Sequence, residues 1–361
     1  MKKIIRSLML AAVAMLTLSG CEHKELCYHH PHGANVRIQF DWRDAPDASV
    51  EGMAVFFYPL AYVDPDDPDG GRGDQDDVIL QPLAPCYRVD ITGMEGGVLR
   101  GVPNGKYRVV CYNNDTDGVL FNYVNAYDKH HGFTRDGSPL EPLYGAAANR
   151  APMAEGSEGQ RVVITPDQMW GCSVADVEVH DSGITYICVP ETDKEEWMEL
   201  PVTNDEWVIT LFPHELTCTY TYEYRNVENL EYAIQHCATL SGMASSLQFY
   251  DEALGEEPVI VPFEAISDRV SKITGKFYVW GHHPEQTDTK HMMTLYIWVR
   301  NKAEGLYYTN DVTDQVNNAP DKRHVHIIID NIKLPEAIAE GDSPMTPSID
   351  DWLVENYDVP M

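Results

Sequence analysis

Between Leu216 and Arg225 the sequence reads Leu-Thr-Cys-Thr-Tyr-Thr-Tyr-Glu-Tyr-Arg, and this rhythm of two governs what the chain can become. Leu216, Cys218, Tyr220, Tyr222 and Tyr224 fall on one side; Thr217, Thr219, Thr221, Glu223 and Arg225 fall on the other. Successive side chains of a strand point to opposite faces, so the pattern predicts a strand with one face buried. Val36, Ile38, Phe40 and Trp42 alternate with Arg37, Gln39 and Asp41 in the same way. Residues 53–58 (MAVFFY) are apolar throughout, as in a central strand. Shorter runs follow at 87–92, 98–102, 106–112, 119–124, 162–165, 174–179, 185–189 and 207–211, then at 259–263, 272–280, 293–300, 306–309 and 325–330. Nothing between 227 and 250 is long and periodic enough for a helix. Many short strands separated by turn residues predict an all-β fold of two sandwiches in tandem.

The first twenty residues are of another kind. Lys2, Lys3 and Arg6 precede an apolar run at 8–18, and Leu18-Ser19-Gly20-Cys21 closes it. The run is too short to span a bilayer and reads as a secretory signal. Its end resembles the lipobox of bacterial lipoproteins, which implies cleavage before Cys21 and lipid on its sulfur. Residues 21–33 are a short polar, His-rich tether. We expect an N-terminal sandwich at 34–195 and, after the break at PETDKEEWMELP, a C-terminal one at 196–335. The tail at 336–361 carries Ile349, Trp352, Val354, Tyr357 and Val359, apolar residues without a domain of their own. Such a tail either docks on its own domain or adds a strand to another molecule's sheet.

Composition narrows the function classes. The signal holds three of the 26 basic residues and no acidic one, leaving 23 basic against 57 acidic residues, a net charge of −34. So acidic a surface repels phosphate backbones and argues against nucleic acid. Besides Cys21, seven cysteines remain (Cys27, Cys86, Cys111, Cys172, Cys188, Cys218 and Cys237), at irregular spacings and without a CxxC pair. They read as buried thiols with at most one or two bridges, whose pairing the spacing does not give. His29, His30 and His32 beside Cys27 lack a rigid frame for a metal. The Asp-rich segment 64–77 departs from the EF-hand spacing, because counting back from Gly70 puts Pro65 in the first position. His282-His283-Pro284-Glu285 has an H-x-x-E spacing but no third ligand, and His130-His131 and His324/His326 read as a loop pair and a strand face. There is no GxSxG, HExxH, P-loop or GxGxxG. We expect no enzyme, cofactor or metal. Pro103-Asn104-Gly105 between two strand runs predicts a tight hairpin turn with Asn-Gly at positive φ.

Taken together, VRIQFDWRDAPDASVEGMAVFFYP, VPNGKYRVVCYNND, VITPDQMWG, LTCTYTYEYRNVENL, LSGMASS and YYTNDVTDQV followed by HVHIIIDNIKLP are similar to fimbrillin-like lipoproteins of the Bacteroidetes. The resemblance spans nearly the whole chain after the signal. It implies two transthyretin-like, Greek-key sandwiches and a role in cell adhesion or fimbrial (pilus) assembly as an anchor, tip or accessory subunit. It also implies a lipid anchor on Cys21 in the outer membrane, facing the cell surface, with other fimbrial subunits or a host or glycan ligand as partners. Carried onto this chain, residues 36–42 become a removable first strand, Arg43 the protease cleavage point, and Ile349, Trp352, Val354, Tyr357 and Val359 a donor strand. The alternative is a carbohydrate- or ligand-binding surface lipoprotein, which would expose Trp or Tyr side chains at one loop end.

Overall fold

The computed structural model describes residues 33–63, 79–82, 85–145, 151–179, 207–283, 288–300, 302, 305–337 and 352–353. The chain opens with β1 (Gly33–Phe40), β2 (Gly52–Val63), β3 (Ile79–Pro82), β4 (Tyr87–Thr92), β5 (Gly96–Pro103) and β6 (Gly105–Asn113). Then come β7 (Val119–Asn122), β8 (His131–Thr134), helix α1 (Glu141–Tyr144), β9 (Arg161–Val162), β10 (Trp170–Val179), β11 (Trp207–Leu211) and β12 (His214–Glu215). One sheet has the order β11-β1-β5 and the other β12-β10-β6-β2-β3, with β4 also on β2. Val36, Ile38 and Phe40 of the first sheet meet Val55, Phe57, Tyr107 and Val109 of the second in one core. The period-two pattern thus buries one face of β1 completely.

The second sandwich starts with β13 (Cys218–Arg225), β14 (Ala233–Ala244), β16 (Pro258–Glu264), β17 (Ile266–Ser267) and β18 (Ile273–Val279), while β15 (Ser246–Gln248) joins β8 and β7 in a separate three-stranded sheet. It continues with β19 (Met292–Val299), β20 (Gly305–Asp311), helix α2 (Thr313–Asn317), β21 (His324–Asp330) and β22 (Trp352–Leu353). Its sheets run β17-β18-β13-β21 and β22-β20-β19-β14-β16-β9. On β13 burial alternates residue by residue, and Tyr220, Tyr222 and Tyr224 fill the space between the sheets. This is the all-β, tandem-sandwich architecture read from the strand rhythm.

Several features of this architecture were not legible in that rhythm. The last strands of the first sandwich, β11 and β12, come after the break at 190–201, and β11 pairs in parallel with β1 (Val36↔Trp207 to Phe40↔Leu211). In the other direction, β9 joins the edge of the second sandwich beside β16, and β8 pairs with β15. Pro103-Asn104-Gly105 does not close a hairpin: β5 bonds to β1 while β6 bonds to β2 and β10, so the turn carries the chain from one sheet to the other. Only Gly105 takes a positive φ there; Asn104 does not. The stretch from 227 to 250 holds β14, a central strand of a six-stranded sheet. The Gly-, Ala- and Ser-rich stretch 145–159 reads in sequence as a long surface loop, yet Ala154 and Ser157 within it are buried.

Gly275 of β18 lies opposite Tyr222 of β13. A Cβ added there would stand 2.5 Å from the Tyr222 ring, whose hydroxyl donates to the Glu264 carbonyl at 2.8 Å. The ring occupies the space that a side chain would need. Gly275→Ala is expected to cost about 1–3 kcal/mol through overpacking, read as a lower urea midpoint with an unchanged slope.

Candidate functional site

The first candidate site is β1 together with the turn at its end. β1 is antiparallel to β5 and parallel to β11, so main-chain groups on both edges are paired, and Val36 and Ile38 are fully buried. The chain leaves through Asp41, whose amide donates to the Leu211 carbonyl at 2.8 Å. The Trp42 indole donates to the Met94 carbonyl at 2.9 Å, fixing the exit. Arg43 then turns outward, 66% exposed. Its guanidinium bonds Asp41, through Nε at 3.0 Å and through a second, shorter contact, and lies over the Phe212 ring. The hydrogen bonds from Arg43 hold the Asp41 carboxyl below the usual carboxylate range. The peptide after Arg43 is enclosed in a turn, since the Ala45 amide donates to the Trp42 carbonyl at 3.0 Å. Arg43 is therefore accessible as a side chain but held in a folded backbone. Of the C-terminal tail, Trp352 and Leu353 pair in parallel with Gly305 and Leu306 of β20 in the same chain. Ile349, Val354, Tyr357 and Val359 lie outside the described residues.

The second candidate is the junction between the sandwiches. Phe56, Tyr58 and Tyr112 project from the outer face of the first sandwich and pack with Leu247, Phe249 and Trp280 of the second. At its centre is His130, with no exposed surface. The Tyr58 hydroxyl donates to the Val124 carbonyl at 2.9 Å, so its oxygen accepts from His130 Nδ1 at 2.6 Å. The Tyr112 hydroxyl donates to His130 Nε2 at 3.0 Å. Each ring nitrogen thus has one partner, which defines the neutral Nδ1–H tautomer. Burial pushes the imidazole down to about 3, with the His131 and Arg88 charges acting in the same sense. Burial likewise raises both tyrosines. Such a group does not exchange protons near neutrality; it is a structural pin.

Beside the junction a cleft of about 190 Å³ is lined by Leu216, Leu254, Trp280, Glu252 and Arg323 among others. Two of its charged groups, Glu252 and Arg323, are paired with each other. Glu252 receives His214 Nε2 at 2.6 Å and Arg323 at 2.6 Å. That pairing draws the Glu252 carboxyl down and the His214 imidazole up. His214 comes from the first sandwich and Arg323 from the second, so the triplet ties one to the other.

The remaining sequence candidates are dispersed. His282 Nδ1 bonds the Tyr220 hydroxyl at 2.8 Å, and Glu285 lies outside the described residues. His324 bonds Asp321 and Glu215, and His326 bonds Thr221. Cys21, Cys27, Cys188, His29, His30, His32 and the Asp-rich segment also lie outside the described residues. Among the described residues no three His, Cys, Asp or Glu side chains are gathered to hold a metal, and no helix is long and apolar enough to cross a membrane.

The sequence profile of a family described as a domain of unknown function, DUF5119, matches residues 20–78 and 84–264, well over half of the chain. The chain belongs to the DUF5119 family. A Bacteroides ovatus protein provisionally named fimbrium anchoring subunit Fim4B is similar to this DUF5119 chain, 24% identical over 170 residues, 47% of this chain and 40% of that one. The chain thus spans less than half the length of that relative. A Bacteroides ovatus crystal structure provisionally assigned as an adhesin has the same fold, with TM-score 0.50 and 17% identity over 87% of this chain and 94% of that one. The fimbrial anchor protein Mfa2 of Porphyromonas gingivalis superposes with TM-score 0.42 and 11% identity over 82% and 90%.

The sequence of this DUF5119 member did not single out the Tyr58–His130–Tyr112 pin or the Glu252 triplet. Tyr58 and Tyr112 end apolar strand runs, and His130 stands in a charged loop. Tyr58 and Tyr112 meet His130 through the neighbouring strands β2 and β6 and the loop before β8, whereas the triplet forms only where one sandwich meets the other.

Proposed function

We propose that this DUF5119 chain is an outer-membrane-anchored, fimbrillin-like lipoprotein that acts without catalysis in cell adhesion or fimbrial assembly, as an anchor, tip or accessory subunit. The observation that carries the proposal is the likeness to a protein provisionally named a fimbrium anchoring subunit. The arrangement of β1 supports it. The tether from Cys21 leads directly into a strand bonded on both edges, which is how a chain holds itself to its own anchor. The polar side chains described at the junction and the cleft hold one another: Tyr58 and Tyr112 hold His130, and Glu252 holds His214 and Arg323. A glycan platform finds less support: Tyr123 (58% exposed) and Tyr87 (43% exposed) stand on different elements, and Trp170, Trp280 and Trp298 are buried.

In this reading residues 1–20 are removed, Cys21 carries lipid, and the partners are other fimbrial subunits. The test is treatment of the purified mature chain with an arginine-specific protease. An uncut monomer at Arg43 is expected, because the turn there is closed and β1 is paired on both edges. A cut at Arg43 followed by heat-stable ladders that vanish when residues 349–361 are deleted would make the chain a polymerising subunit instead. In cells, deletion of the protein is expected to reduce surface fimbriae or adherence, and unchanged levels of both would remove the proposal.

A further inference from the structure

Cys111 of β6 and Cys172 of β10 stand directly opposite each other in the antiparallel register, between the pairs Gly171↔Tyr112 and Ser173↔Val110. Both point into the core between the sheets, 1% and 8% exposed, and their sulfurs are 3.4 Å apart. The other described thiols behave differently. Cys86 donates to the Val124 carbonyl, Cys218 to that of Trp280 and Cys237 to that of Pro139. Among the described cysteines only the first two face another sulfur.

We propose that Cys111 and Cys172 form a cross-strand disulfide that staples β6 to β10. Cβ atoms opposite one another on a sheet are about 4.5–5.5 Å apart, which meets at its lower end the roughly 3.5–4.5 Å that a disulfide spans. The sulfurs need to approach by somewhat over 1 Å to reach the bonded distance of about 2.05 Å, which small side-chain rotations supply. No cluster of metal-ligating side chains competes for them among the described residues. The inference rests on the export reading in one respect only, the source of the oxidant, a small-molecule or protein disulfide.

The exchange balances with that reagent. The Cys172 thiolate, the less buried of the two, attacks one sulfur of the oxidant and releases one donor thiol. The Cys111 thiolate then attacks the Cys172 sulfur of the mixed disulfide and releases the second. Two protein thiols and one donor disulfide become one protein disulfide and two donor thiols, which take up the two protons. The bond from Cys111 holds the Cys172 thiol low and drives Cys111 up, consistent with that order. The bridge would enclose β7, β8, α1 and β9. These are the elements that reach the second sandwich, through β15, through β14 and β16, and through the edge of β16. It therefore anchors the junction as well as the sheet.

The experiment equilibrates the purified chain from Cys21 onward with oxidised glutathione, alkylates remaining thiols and maps peptides without reduction. Expected is one linked pair joining the Cys111 and Cys172 peptides, released by reductant, and a melting temperature several degrees above that of the reduced chain. The C111A/C172A double variant should lose that rise. Should it fold poorly, the wild-type map still decides. Full alkylation of Cys111 and Cys172, or their recovery as separate glutathione adducts, would overturn the proposal. The location of the protein is read independently by cell fractionation. A bridge that forms in glutathione in an unlipidated, unexported protein would remove the export reading and leave the pair standing.

Discussion

Replacing Cys21 with alanine is expected to move the protein almost entirely from the membrane pellet to the soluble fraction. Attachment depends on the number of acyl chains. Each methylene buried in a bilayer is worth about 0.8 kcal/mol, yet a single acyl chain holds a protein only reversibly, with an association constant on the order of 10⁴ M⁻¹. Several chains hold a protein stably, and in the lipoprotein reading all of them depend on the one Cys21. No helix of the described residues offers a substitute, and the net charge of −34 repels anionic headgroups. The measurement is fractionation combined with incorporation of a labelled fatty acid. A Cys21→Ala protein that stays in the pellet, or a wild type that takes up no label, would defeat the lipoprotein reading. The melting temperature should not change, because Cys21 precedes the first strand.

His130→Leu should produce the largest loss of stability, about 2–4 kcal/mol at neutral pH, from two tyrosine hydroxyls deprived of their nitrogens in a dry core and from altered packing. It should also alter the response to acid. The folded imidazole titrates at about 3, while the unfolded one keeps its value of 6.5. Between those values the unfolded chain binds the extra proton. The contribution of His130 is therefore complete above 6.5 and fades as pH falls toward 3, by at most about 1.4 kcal/mol per pH unit. His236 and His291 are lowered by burial as well, while His214 is raised by Glu252 and acts in the opposite sense. The informative quantity is accordingly the difference between wild type and variant. Denaturant midpoints at pH 7, 6 and 5 should converge as the pH falls, and a constant gap would show that His130 is not held neutral.

How each sheet is covered decided which strands the sequence disclosed. β1 and β13 have one face in a core and one toward solvent, so their alternation is visible and correct in phase. β14 escaped because eight consecutive residues, 237–244, are buried. Its inner face meets β13 and β18, while its outer face lies under α1 and the segment from Ala151, where the Tyr296 hydroxyl donates to the Pro152 carbonyl at 2.7 Å. A strand covered on both sides has no polar beat, and Ala-Thr-Leu-Ser-Gly-Met-Ala has one β-branched residue, Thr239, and no aromatic one to mark it. β11 was visible as a strand, but its partner lies some 170 positions earlier and no local pattern carries that information. The His130 pin was hidden for a related reason. A histidine in a charged loop looks solvated until a second domain covers it.

The parallel pairing of β1 with β11 has a mechanical meaning. Tension on the residues before Gly33 pulls β1 from its leading end, whereas the second sandwich hangs from the trailing end of β11 at Leu211. Two parallel strands drawn from opposite ends are loaded in shear. The hydrogen bonds from Val36 to Phe40 then share the force together, where a strand peeled from one end would lose them one after another. In the proposed anchored role, a load between the residues before Gly33 and the second sandwich would meet that resistance first.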